Sequence, residues 1–425
     1  MEFGKTLAVL LALWGALAAI GYFGGAFPME TGVSSTRRDD DAGVAADAGV
    51  AGDAPAEGEL PDAWVEPEDA GRVAALDVFG VCAAPDEVRW TLGDLFGDSA
   101  HELVVGCAGD VQLLAMSPQH PPTRVARFVP SEAASLRDAA IGDMDGDDRQ
   151  DLALAMDSGL FLVSRDASGG FASARVLAPG RHGVLALGEL DAAEGLDLAV
   201  IHGADPRAEI WLFHGGPTPL RGGTAPAPVE TAALAVLDLD VDGHLDVLAV
   251  GPHQILLAFG DSRAGIARTR SMTPGGRSAV VLADANGRPF VVVERDGGAC
   301  ALQPTPGMDE AGECAPLPSL HPDARLLRAS GEGLVGVRHP DVVGWTAAGT
   351  GTLATLSTTR FGLHRVLRRD GELVMLGSRV DASGARAIEL ARAPLYAALR
   401  DDEEPAEIED APLVLEVALP DPNAP

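Results

Sequence analysis

Lysine is almost missing from this chain: of its 31 basic residues only Lys5 is one, and the rest are arginines. Without an amine in the body of the chain, a G-x-x-x-x-G-K-[ST] phosphate loop, an S-x-x-K nucleophile and a Schiff-base lysine are all excluded. Basic charge is also scarce overall, 31 groups against 63 acidic ones, for a net charge of -32. Nucleic acid, whose binding needs cations to displace phosphate counterions, is therefore not an expected partner. Aromatic residues make up only 4%, whereas 51 glycines and 30 prolines punctuate the 425 residues. That profile suits many short strands joined by turns rather than long helices. The length exceeds one ordinary core, so several domains or one large repeat architecture is expected.

Catalytic signatures are sparse as well. Ten histidines are scattered without an H-E-x-x-H pair. His101, His202, His214 and His253 fall near expected strand ends, where polar packing is commoner than catalysis. Gly331, Gly333 and Gly336 spell G-x-G-x-x-G but run into a strand instead of a helix, and Gly260, Ser262 and Ala264 miss the last glycine of a nucleophile elbow. Trp90, Trp211 and Trp345 are expected to pack between strands.

The four cysteines contain no C-x-x-C spacing; Cys82 and Cys107 lie 25 apart, Cys300 and Cys314 lie 14 apart. Two short-loop disulfides are the expected arrangement, in keeping with an exported protein. Residues 1–28 agree: Thr6 to Phe27 carry no charge, enough at 1.5 Å per residue to cross a bilayer core of roughly 30 Å. Lys5 before the run and the small Gly24 and Ala26 before Phe27 suit a cleaved signal, while the length suits a retained membrane anchor. Both place the remainder outside the cytoplasm.

Residues 29–71 form an acidic linker expected to be disordered; from Glu30 to Asp69 twelve carboxylates face two arginines. The tail, 401–425, carries nine carboxylates, no base and five prolines. Its one mostly apolar run, Leu413 to Leu419, is a candidate strand, and the rest is expected to be solvated.

Between these ends, residues 72–400 repeat. Asp94, Asp143, Glu189, Asp238, Asp284, Ser330 and Asp370 occupy equivalent places, at steps of 49, 46, 49, 46, 46 and 40 residues. In each unit an apolar strand leads into an acidic turn, and two apolar strands and a more polar segment follow, as in Ser135 to Gly142, Leu152 to Met156 and Leu160 to Ser164. Four short strands per unit and a period of 40 to 50 residues predict an all-β, seven-bladed β-propeller. The last unit lacks an outer strand, and Arg72 to Val78 precede the first unit without a partner, so that early segment is expected to complete the seventh blade and remove exposed edges.

The chemistry is concentrated in two turns. Asp143, Asp145, Asp147 and Asp151 stand at positions 1, 3, 5 and 9 of one, and Asp238, Asp240, Asp242 and Asp246 at the same positions of the other. Alternate side chains of a tight loop converge, and four unscreened carboxylates would repel one another strongly. A hard cation with six or more oxygen ligands, most simply calcium, removes the conflict, with the carbonyls of Arg149 and His244 at position 7 as further ligands. Position 12 of the second turn is Ala249, not the bidentate Glu of an EF-hand. Two further turns are incomplete: Phe96 stands at position 3 of the first, leaving Asp94, Asp98 and Glu102, and Ala193 at position 5 of the third, leaving Glu189, Asp191 and Asp197. The last three turns are shortened and expected to be ordinary β-turns.

The strings GDMDGDDRQDLALA and LDLDVDGHLDVLAV resemble the FG-GAP or VCBS repeats of integrin α-subunit propellers and of many bacterial exported proteins. The resemblance implies calcium bound on one rim of a seven-bladed propeller and covers residues 72–400 through the period, although two of the seven turns carry the full motif. The expected function is a monomeric, calcium-stabilised, non-catalytic module that binds a protein or glycan partner at the cell envelope. A propeller lyase or hydrolase with its site in the central channel is the alternative.

Overall fold

The computed structural model describes residues 73 to 418 apart from interruptions, the longest being 303–314, 318–324, 327–333 and 408–414. The charge-free amino-terminal run, the acidic linker, Cys314 and the turns at Asp284, Ser330 and Asp370 lie outside the described residues. Among the described residues there is no helix, and none long and apolar enough to cross a membrane.

The described strands pair into seven sheets: six contain four antiparallel strands joined in sequence order, and the seventh contains three such strands and a fourth from the start of the chain. The first comprises Trp90–Gly93, His101–Gly106, Val111–Met116 and Thr123–Val129. The second comprises Leu136–Gly142, Asp151–Met156, Gly159–Val163 and Arg175–Pro179. His182–Gly188, Asp197–His202, Glu209–His214 and Leu220–Pro226 make the third. Ala233–Leu237, Asp246–Val250, Ile255–Gly260 and Ile266–Met272 make the fourth. The fifth runs from Ser278–Ala283 to Ala315–Leu317, and the sixth from Arg325–Leu326 to Gly349–Leu356.

Burial explains the apolar pattern. The middle strands of the second sheet, DLALAM and GLFLV, are buried at every position, because neighbouring sheets cover both faces. Outer strands need not be apolar on both sides, and Ile266–Met272 accordingly alternates between half-buried and exposed. Val104, Leu113 and Phe128 of the first sheet pack against Leu152, Leu154 and Phe161 of the second. The same stacking joins the second sheet to the third, the third to the fourth and the fourth to the fifth. At the other end, Val374, Leu376, Ile388 and Leu390 of the seventh sheet meet Trp90, Leu103 and Val105 of the first. Each such aliphatic side chain taken fully out of water stabilises the fold by roughly 1.5–3 kcal/mol.

Closure differs from expectation in its register. The seventh sheet, Gly362–Arg369, Glu372–Val380 and Arg386–Pro394, takes its fourth strand from the start of the chain, but that strand is Asp77–Ala83. Its seven residues, DVFGVCA, bury Val78 and Val81 against the core and pair with Arg386–Pro394 along the strand. Val73–Ala75 instead runs parallel to Ala397–Arg400 at the edge of the sixth sheet. Cys82 on the closing strand is disulfide-bonded to Cys107, at a Cα separation of 5.9 Å, and so ties the seventh sheet to the first. Cys300 is also disulfide-bonded.

Two pieces of the acidic tail add parallel fifth strands. Ala406–Glu407 lies beside Phe79–Gly80, and Leu415–Ala418 beside Ala126–Val129. Outer edges of the seventh and first sheets are thereby covered.

Candidate metal centre

Four acidic turns share one construction. The residue at position 2, Leu95, Met144, Leu190 or Leu239, is buried and anchors the loop to the core. The carboxylate at position 9, Glu102, Asp151, Asp197 or Asp246, stands first or second in the following strand and is buried beneath the loop. One of its oxygens accepts backbone N–H groups at positions 2 and 3: Leu95 and Phe96 at 2.7 and 3.3 Å, Met144 and Asp145 at 3.1 and 3.2 Å, Asp191 at 2.8 Å, Leu239 at 2.8 Å. In the second, third and fourth sheets its other oxygen accepts an N–H at the end of the third strand, from Arg165, Gly215 and Gly260 at 3.3, 2.7 and 2.8 Å. These bonds satisfy amides that the turn would otherwise strand without partners. Position 1 closes the loop top: Asp143 accepts from Gly146, Asp147 and Asp148, and Asp238 from Asp242 and Gly243.

Tight closure puts positions 4 and 6 in the left-handed region. Gly146 and Asp148 lie at φ 79° and 63°, and Val241 and Gly243 at 59° and 90°. Glycine and aspartate tolerate this conformation, whereas a β-branched valine is strained by it.

Of the eight carboxylates expected to converge, the structure brings six into two groups. Asp143, Asp145 and Asp151 have ligand atoms within 4.8 Å of one another, as do Asp238, Asp240 and Asp246. The position-5 groups stand apart from both. Asp147 pairs with the Arg149 guanidinium and accepts that residue's N–H at 3.0 Å, and Asp242 accepts the N–H of His244 at 2.8 Å.

Electrostatics mark both groups as frustrated. Burial, followed by repulsion from Asp145, pushes the Asp151 carboxyl up to about 6, and burial pushes Asp246 to about 6 against the pull of its amide bonds. Asp145 is raised by burial and by Asp147. Moreover, Oδ1 of Asp145 and Oδ1 of Asp240 are shielded from water and accept no hydrogen bond. An oxygen-only donor set with an orphaned, buried oxygen in each group fits a hard dication such as calcium. In the first turn Phe96 stands at position 3 under Arg165, whose guanidinium lies 4.9 Å from the ring centroid, and burial pushes Glu102 up to about 7.

The third turn assembles a different set. Asp191 and Asp197 meet His214, not Glu189, again with ligand atoms within 4.8 Å. His214 ends the third strand, 23 residues beyond Asp191, so no local motif contains it. The repeat itself offers a signal: Ser164, His214 and Phe259 each precede the residue whose N–H caps the position-9 carboxylate.

At the far end of these strands His182 and His202 touch, Nε2 to Nδ1, at 3.1 Å. His202 stacks on Trp211 at 3.5 Å between ring centroids, and the Arg221 guanidinium lies 3.7 Å from the same ring. Both faces of Trp211 are thus covered, and Trp90 is buried. Neither offers an open stacking platform.

No protein-family model and no curated protein matches the chain. Solved structures of similar fold include the β-propeller domain of Cps50 (Swd1) from Myceliophteria thermophila, 12% identical over 74% of this chain and 98% of that one, TM-score 0.46. The Dos1 propeller is 12% identical over 72% and 78%, TM-score 0.45. BBS1N, solved in complex with ARL6DN, is 14% identical over 75% and 97%, TM-score 0.44. The chain is an all-β protein of repeated four-stranded antiparallel sheets, the architecture of a β-propeller.

Proposed function

We propose that the protein is an exported, calcium-stabilised, seven-bladed propeller of the FG-GAP/VCBS type that acts as a non-catalytic binding module at the cell envelope. The observation that carries the calcium reading is the pair of three-carboxylate groups, Asp143, Asp145 and Asp151 and Asp238, Asp240 and Asp246, each with a buried oxygen lacking a hydrogen bond. The ions stiffen one rim, while loops on the rigid sheets present the binding surface. Trp90 and Trp211, the tryptophans whose packing is described, are committed to internal contacts, which favours a protein over a glycan as partner. Export is supported by the Cys82–Cys107 disulfide and by the charge-free run from Thr6 to Phe27 as a signal or tether.

Affinity capture from the native envelope with the full chain, in calcium and in chelator, tests this reading. It expects a protein retained in calcium and lost in chelator. Equal recovery in both, or turnover of a polyuronide by the purified chain, contradicts it.

A further inference from the structure

We propose that the third turn is a separate transition-metal site, in which Asp191, Asp197 and His214 hold zinc. The inference does not rest on the calcium reading, since it uses a different turn and a different donor set.

The contact between His214 and Asp191 carries the argument. Nδ1 of His214 lies 2.9 Å from Oδ2 of Asp191, yet this nitrogen is shielded from water and makes no hydrogen bond. A nitrogen and an oxygen this close but out of hydrogen-bond alignment have the relation of two ligands on one ion. Ligands each about 2.0–2.1 Å from zinc stand roughly 3 Å apart. The third donor is already fixed: Asp197 is buried and receives Gly215 N–H on one oxygen at 2.7 Å and Asp191 N–H on the other at 2.8 Å. Asp191 in turn is oriented by Ala193 N–H on Oδ1 at 2.7 Å, which leaves Oδ2 facing the imidazole. Backbone donors thus support both carboxylates, as outer-shell partners do in metal centres.

Room for the ring is built into the neighbouring strand. A Cβ at Gly222 would lie 2.2 Å from Nε2 of His214, so any other residue there would displace the imidazole. Side chains of His214 and Asp191 remain 24% and 21% exposed, which leaves open positions for water to complete the shell. The donor type sets the selectivity. Imidazole with two carboxylates suits zinc and its first-row neighbours, whereas calcium takes oxygen. The equivalent places on the second and fourth sheets hold Ser164 and Phe259, so neither of those turns offers a nitrogen ligand.

The test uses the full-length chain, stripped with chelator and titrated with zinc chloride in millimolar calcium by calorimetry. The expected result is one zinc per chain that calcium does not displace, lost at least 100-fold in affinity in His214→Phe, which copies Phe259 of the fourth sheet. Asp145→Asn with Asp240→Asn should keep this zinc even if they abolish calcium binding, so failure of either reading is separately visible. On the wild type alone, cobalt(II) should shift the NMR resonances of one histidine ring. The proposal is overturned if His214→Phe takes zinc as the wild type does, if calcium displaces the zinc, or if cobalt leaves every imidazole unshifted.

Discussion

Arg268 reaches across the fourth sheet to Asp240, with a guanidinium nitrogen 2.8 Å from Oδ2. The same guanidinium lies 3.8 Å from the Phe259 ring centroid, which aims it along the sheet toward the turn. It neutralises one oxygen of Asp240 and leaves Oδ1 without a partner. A fixed positive charge beside a cation site weakens that site. Arg268→Gln should therefore tighten calcium at this turn by about 2- to 5-fold, the effect of about 0.5–1 kcal/mol expected of a partly exposed charge pair. Isothermal titration against Asp240→Asn background checks it. Looser calcium binding in Arg268→Gln would show that the arginine supports the turn rather than competing for it.

Cys82 and Cys107, separated by 25 residues, cross-link the seventh sheet to the first. A cross-link over that interval restricts the unfolded chain by about 3.5 kcal/mol in the loop-entropy account. Cys82→Ser with Cys107→Ser should lower stability by roughly that amount. Proteolysis should then begin near Asp77–Ala83, because this strand is what the bond secures. Urea titration and mapped limited digestion are the readouts.

His182 is fully buried, and burial followed by the adjacent His202 depresses its pKa to about 4 from an ordinary 6.5. Its Nδ1 lies 2.8 Å from the Gly180 carbonyl and its Nε2 faces His202, so the neutral ring is the form that fits. The unfolded chain then binds the proton more readily than the folded one between pH 6.5 and 4. Stability should be unaffected above pH 6.5 and should fall as pH drops through that window, by up to about 3 kcal/mol. His182→Gln should flatten this part of the pH profile of the melting temperature; an unchanged slope would assign it to other groups.

Val241 sits at φ 59° and is 53% exposed, where the first and second turns have Gly97 and Gly146 at the same position. The strain of a valine there exceeds the entropy that a glycine adds to the unfolded chain. Val241→Gly should raise stability by about 0.5–1 kcal/mol, measurable as a higher denaturation midpoint with an unchanged slope. A lower midpoint would mean that Val241 makes a packing contribution.

The fold was largely legible because propeller packing leaves a periodic trace. Middle strands such as DLALAM are buried on both faces and stay apolar, and each turn needs an apolar anchor at position 2 and a buried carboxylate at position 9. Spacing within one loop therefore revealed Asp143, Asp145 and Asp151. Contacts between separate strands leave no such trace. His214 joins Asp191 only through the pairing of Asp197–His202 with Glu209–His214, and a histidine at a strand end reads as ordinary polar packing. The closing strand was displaced for a related reason: Val73–Ala75 and Asp77–Ala83 are both short and partly apolar, and register against Arg386–Pro394 decides between them. Side-chain choice at position 5 was likewise hidden, because Asp147 has Arg149 two residues away as a competing partner.

The cation at the two full turns is tested most directly by differential scanning calorimetry of the full chain at neutral pH, with calcium in excess and with chelator. Binding at 100 times the dissociation constant adds about 2.7 kcal/mol per site. Calcium should raise the melting temperature of the wild type by several degrees over the chelated protein, and Asp145→Asn with Asp240→Asn should remove most of that difference. Identical melting of the wild type in calcium and in chelator would contradict the account.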